Sequence, residues 1–186
     1  MKIIKIPSLI SSVVLNALTG IEGMEFTLLQ MCPYCYGQVK YHDVRKKRFA
    51  TVILEGEKKI INVMVTRYYC RDCGKLCYAL APFYPGTKFG SPVIDLCLTL
   101  ANSHPFNHSA RILQEIGIVV DRGTIRNLSS RDLPRVSYAK IYGLPIPLSI
   151  FYLSDLSSRI TQSRPVTQED ILSVCGFPVS VKKRNE

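Results

Sequence analysis

The stretch RYYCRDCGKLCYA, residues 67–79, carries three of the chain's seven cysteines, and how they are used decides the fold. Cys70-Arg-Asp-Cys73-Gly74 is a CxxC turn, which offers two thiolates from one tight loop to a single tetrahedral ion. A second such turn, Cys32-Pro-Tyr-Cys35, lies upstream, and two turns together fill the four positions of a structural zinc site. The 34 residues between the pairs exceed the shortest ribbon spacings. A β-hairpin spanning them returns the chain to its start, so the length favours a ribbon.

That hairpin is legible. RFATVIL (48–54) and IINVMVTRYY (60–69) are rich in β-branched and aromatic residues, and EGEKK lies between them. Gly37, just after the first pair, suits the tight knuckle turn. A thioredoxin-like CxxC occurs once, at a strand-to-helix junction, whereas both pairs here flank hairpin sequence. The expected ligands of one structural Zn²⁺ are therefore Cys32, Cys35, Cys70 and Cys73, with Arg71 and Lys75 offsetting part of the thiolate charge. Cys77 reads as a packed bystander, and Cys97 and Cys175 as core. His42 is a weak alternative ligand because it sits in a strand, not a knuckle. His104 and His108 read as capping or surface residues.

The bulk composition is that of a globular chain of 186 residues, 47% hydrophobic and 20% charged, with no tryptophan. Lys and Arg outnumber Asp and Glu by 24 to 14, a net charge of +10. Such a balance favours polyanionic partners. Paired CxxC turns point to metal in a reducing compartment, hence a cytoplasmic location, rather than to a secreted disulfide framework. MKIIKIPSLISSVVLNALTG reads as an amphipathic helix over 7–19, with Ile10, Val13, Val14 and Leu18 on one face, and not as a leader peptide. No segment reaches the roughly 18 to 20 apolar residues of a membrane span.

Downstream of a proline-marked connector at 82–90, Ser91-Pro92 supplies an N-cap and N1 pair for a helix through about Asn102. Asn107 can cap a second helix that Gly117 ends, and Asp121 can start a third. Ala110, Leu113, Ile116, Val119, Ile125 and Leu128 form one inward set that would pack with Leu96 and Leu100. Helix, short turn, helix is the order of a helix-turn-helix, whose second helix stands out from the body to enter a major groove. Its outward positions carry Arg122, Thr124, Arg126, Asn127 and Arg131. Arg and Asn can read guanine and adenine edges, and Thr can hold phosphates. A three-helix bundle with a solvated basic face satisfies the same pattern.

A basic run, Arg45-Lys46-Lys47-Arg48, is expected at the mouth of the hairpin. With Tyr34, Tyr36, Tyr41, Tyr68 and Tyr69 it would form a phosphate-tracking face with stacking rings. Burial of those tyrosines as ribbon core is the competing expectation. Beyond Pro134, YGLPIPLSIFYLSDLSSRI contains a short apolar run readable as strand or helix. Thr167 and Asp170 mark a further helix start, and VKKRNE reads as a frayed basic tail.

The order CPYC, hairpin, YYCRDCGK, YPGTKFGSPVIDLCLTL, then SARILQEIGIVVDRGTIRNL resembles the N-terminal DNA-binding region of insertion-sequence transposases over residues 30–131. The resemblance implies a zinc ribbon, a proline-glycine connector, a long helix and a helix-turn-helix that binds the ends of a mobile element. It also implies strand transfer by three carboxylates on an RNase H-like sheet. Only about 55 residues follow the helical segment, too few for that fold. Asp155, after LSIFYL, is the nearest candidate for a first carboxylate, and Glu169 and Asp170 follow too soon to complete a set. Catalysis is therefore not expected.

The expected fold class is α+β, a small β-hairpin zinc ribbon followed by a helix-turn-helix domain. The expected division is an N-terminal helical segment (1–29), the ribbon (30–81), the helix-turn-helix domain (82–133) and a C-terminal segment of unassigned role (134–186). The expected function is a zinc-containing, non-catalytic protein that binds double-stranded DNA, alone, as a homodimer or beside a catalytic transposase chain. The alternatives are a zinc-ribbon protein-interaction module of transcription or RNA machinery, and a truncated transposase subunit.

Overall fold

The computed structural model describes residues 6–159 and 165–177. The fold is mixed α+β. An N-terminal helix α1 (Ser8–Thr19) and a two-residue strand β1 (Glu25–Phe26) precede a long hairpin of β2 (Val39–Leu54) and β3 (Glu57–Cys70). A short strand β4 (Leu76–Tyr78) follows, then helices α2 (Ser91–Ser103), α3 (Phe106–Ile116) and α4 (Arg122–Ser129). Strands β5 (Tyr138–Ile141) and β6 (Leu144–Pro147) and helices α5 (Leu148–Arg159) and α6 (Gln168–Val174) complete it.

The hairpin is longer than its apolar runs suggest, because the basic stretch before Phe49 continues the strand. Its turn is the two residues Glu55-Gly56, both with positive φ (52° and 82°), the combination that suits the twist of a two-residue hairpin. β2 and β3 pair antiparallel from Leu54↔Glu57 to Val39↔Cys70, with irregularities at Tyr41/Asp43 and Arg48/Ala50. β1 (parallel) and β4 (antiparallel) share the other edge of β3.

Ile61, Val63 and Val65 alternate inward along β3, as a strand with one buried face requires. With Phe49, Ala50 and Val52 of β2 they pack against the helical layer. α2 is buried on nearly every side, from Ser91 to Leu100, and is the central helix of the core. Its N-cap is Gly90, not Ser91. A Cβ at Gly90 would lie 2.1 Å from the Phe49 ring, so the sheet and the start of α2 meet there at backbone distance.

The core runs without interruption into the C-terminal residues: Ile146, Ile150, Leu153, Ile171 and Leu172 are part of it. The ambiguous apolar run after Pro134 is both things in turn, the strand LPIP and then a helix. α5 packs on α1, where the Asn16 amide donates to Ser154. Thr99 of α2 donates to the Pro145 carbonyl of β6. At α6, Thr167 and Asp170 form the reciprocal capping box their spacing suggested. The basic tail expected at 181–186 lies outside the described residues. No helix among the described residues is long and apolar enough to cross a membrane.

Candidate functional site

The open end of the hairpin gathers four cysteines. Cys70 ends β3, and the turn at 71–73 leads through Gly74 into β4. Cys32 and Cys35 form the matching turn ahead of β2. The two turns repeat one hydrogen-bond pattern. The Cys32 N–H donates to Gly37 O and the Tyr36 N–H to Cys32 O; likewise Cys70 N–H to Lys75 O and Gly74 N–H to Cys70 O. In both, the fourth residue after the first cysteine is left-handed, Tyr36 at φ 60° and Gly74 at φ 70°. Tyr36, not Gly37, therefore carries the turn's unusual conformation. Gly37 lies against the facing turn, where a Cβ would sit 1.9 Å from the Asp72 carboxylate.

This paired geometry brings the sulfurs of Cys32, Cys35, Cys70 and Cys73 within 4.8 Å of one another. Cys32 and Cys73 are 3.7 Å apart, and Cys35 and Cys70 3.4 Å. A thiolate tetrahedron with metal–sulfur bonds of about 2.3 Å has edges of about 3.8 Å, so the quartet is compatible with a metal site. Electrostatics agree. Burial pushes the Cys32 thiol up, but the amides of Tyr34 and Cys35 outweigh it and lower it to about 6. At Cys35 the Gly37 amide favours the thiolate, yet Cys70, Cys73 and burial outweigh it and raise the thiol to about 12. Thiolates this close cannot all ionise without a cation between them.

Cys77 is nearer than a remote bystander. The residue is 2% exposed and pairs with Tyr68 from β4, and its sulfur lies 3.6 Å from Cys32 Sγ. Burial, then the contact with Cys32, push its thiol up to about 11. Cys97 and Cys175 are buried in the main core. His42 is exposed at the β2 irregularity, and the His104 and His108 rings lie 5.0 Å apart beside the start of α3.

The other expected residues sit on α4 and β2. Asp121 caps α4, its Oδ1 accepting from the Thr124 N–H. α3 instead starts at Phe106 after Pro105, so Asn107 is within the helix, where its Oδ1 accepts from Arg122. Gly117, left-handed at φ 102°, ends α3 as expected. Ile112, Leu113, Ile116, Ile125 and Leu128 are buried with Leu96 and Leu100, while Ala110 and Val119 are half-buried. Arg122, Arg126, Asn127 and Arg131 are exposed and Thr124 is half-exposed. One Arg131 nitrogen is held by the Gly86 carbonyl at 3.1 Å, so that side chain ties the connector to the end of α4.

The run at 45–48 is not at the hairpin mouth but inside β2, where alternation sends its members to different surroundings. Arg45 lies 3.7 Å from Asp43, which is chiefly paired with Arg67. Lys46 is exposed. Lys47 is half-buried with its ammonium 3.7 Å from the Phe83 ring centre, and burial lowers its pKa. Arg48 lies over Phe89. Tyr34, Tyr36, Tyr41 and Tyr69 are exposed and Tyr68 half-buried, so the tyrosines surround the cysteine end rather than filling a core beneath it.

One feature had no sequence signal. The α3–α4 turn is hydrogen-bonded to the edge of β2: Ile53 N–H donates to Gly117 O, and Val119 N–H to Thr51 O. The helices are thereby fixed to the hairpin at the end opposite the cysteines. Asp155 lies on the exposed face of α5 rather than at a strand end, and Asp170 is committed to its cap. Comparison with family models, curated proteins and solved structures gives no match.

Proposed function

We propose that this chain is a zinc-containing, non-catalytic DNA-binding protein related to the DNA-binding regions of insertion-sequence transposases. In this reading Cys32, Cys35, Cys70 and Cys73 hold one structural Zn²⁺ that closes the hairpin into a zinc ribbon. α3 and α4 act as a helix-turn-helix on duplex DNA. The observation that carries the reading is the exposed face of α4. Ile125 and Leu128 anchor that helix to the core while Arg122, Arg126 and Asn127 point away from it. Those side chains suit guanine and adenine edges.

The ion's role is to lock two loops that have little apolar core of their own, since only a few residues besides the cysteines pack there. Thiolate ligands in two knuckles suit zinc by chemistry. Arg126→Ala is expected to weaken binding by about 1 to 3 kcal/mol and relax preference at one base pair.

Selection of duplexes from a random pool, with metal analysis of the same preparation, tests the whole reading. Neutralising about five phosphates gives a log K against log salt slope of about −4.5. A flat slope would sink it and favour a second reading, a protein-interaction module. The exposed Tyr34, Tyr36, Tyr69, Leu76 and Tyr78 around the cysteine end favour that alternative.

A further inference from the structure

The seam between the hairpin and α4 is a groove of about 590 Å³. Arg48 and Lys58 of the hairpin, Lys88 of the connector, Asn127 of α4 and Arg131 just past its end line it. A second hollow of about 320 Å³ shares Lys58, Val119 and Asp121 with the first and adds Arg111 of α3. Five cations thus border the two hollows against one carboxylate, Asp121. That carboxylate is already committed, accepting from the Thr124 N–H and hydroxyl, which hold its pKa below the usual range.

None of the five cations forms an ion pair with a described residue. Two are held in place: Arg48 has its guanidinium 4.7 Å from the Phe89 ring centre, and Arg131 donates to Gly86 O. Phe89, Ile94 and Leu128 form apolar walls that concentrate the positive field in the groove. Like charges gathered along an open channel repel one another unless a polyanion neutralises them.

We propose that this seam is a phosphodiester track. Lys58, Lys88, Arg48 and Arg111 hold the backbone of the duplex whose major groove α4 enters. The assignment rests on the DNA-binding reading and changes its contact list. Of the run at 45–48 only Arg48 lines the seam, while Lys58 and Lys88, far apart in sequence, join it. The hydrogen bonds from β2 to the α3–α4 turn fix the track relative to α4, so groove reading and backbone holding occur on one rigid frame.

The test compares two charge-matched double variants on a random-sequence duplex across a salt series. Lys58 and Lys88 are exposed, so Lys58→Gln/Lys88→Gln should keep its thermal midpoint. It should bind more weakly on every sequence, with a slope shallower by about 1.8. Lys40→Gln/Lys140→Gln, also on exposed positions away from the seam, should leave the slope unchanged. Equal changes in the two variants would mean that only net charge matters and would overturn the track. An unchanged slope in the seam variant, with wild-type duplex binding intact, would also overturn it and leave the DNA-binding reading standing. A wild-type chain without salt-dependent duplex binding removes both.

Discussion

Asp95→Asn should stabilise the protein, by an amount that depends on pH. Asp95 sits on the central helix α2 and is 5% exposed. Tyr84 OH donates to it at 2.7 Å and Ser149 Oγ at 3.3 Å, but neither brings a positive charge. Burial raises its pKa from 3.8 to about 6, against the lowering effect of those two hydrogen bonds. A carboxyl whose folded pKa is raised binds its proton more tightly when folded, so its effect on stability is unfavourable as pH rises. The loss begins near the unfolded pKa and is complete above the folded one. A gap of roughly two pH units corresponds to about 3 kcal/mol, of which about half is lost by pH 5 and nearly all by pH 7. Asn keeps an acceptor for Tyr84 and offers an N–H to Ser149 without the charge.

The variant should therefore gain about 3 kcal/mol at pH 7 and about 1.6 kcal/mol at pH 5. At about 2 to 4 °C per kcal/mol for a chain of this size, the midpoint should rise by roughly 6 to 12 °C at pH 7 and about half as much at pH 5. Thermal denaturation of both proteins, metal-loaded, at the two pH values measures this. A midpoint that falls in the variant, or a gain independent of pH, would refute the reasoning. It would mean that the carboxylate is compensated by its surroundings.

Cys70→Ser should abolish binding of one metal ion per chain, whereas Cys77→Ser should retain it; metal loss in the latter would make Cys77 a ligand. Tyr36→Gly should stabilise the metal-loaded chain by roughly 0.5 to 1 kcal/mol, because a left-handed residue that is 77% exposed loses strain and little contact. Chemical denaturation reads this, and a net loss would show that the ring is needed. Gly90→Ala should cost about 1 to 3 kcal/mol by forcing Phe49 away from the start of α2, and an unchanged denaturation midpoint would contradict the tight approach there.

The cysteine quartet was legible because its chemistry is local: a CxxC turn is written in five residues, and only its pairing requires the rest of the chain. Helix ends at Gly117, Asp121 and Thr167 were legible for the same reason, since a cap is formed by side chains and amides within one turn. The hairpin's full length was not, because the basic run Arg45 to Arg48 carries no strand signal of its own and its conformation is set by pairing with Val65, Met64, Val63 and Asn62. Nor did sequence separate the fates of those four cations, which depend on what each faces across the fold.

Sequence alone therefore determined the two cysteine turns, the hairpin, the three-helix order and the positive charge. Tertiary structure decided where Cys77 lies, that Asp72 of one turn approaches Gly37 of the other, and that the α3–α4 turn is bonded to β2. It also brought Lys58 and Lys88 to one groove. The physical reason is range: capping, turn geometry and ligand spacing act over a few residues, whereas charge clustering and close backbone approach depend on segments that meet only after folding.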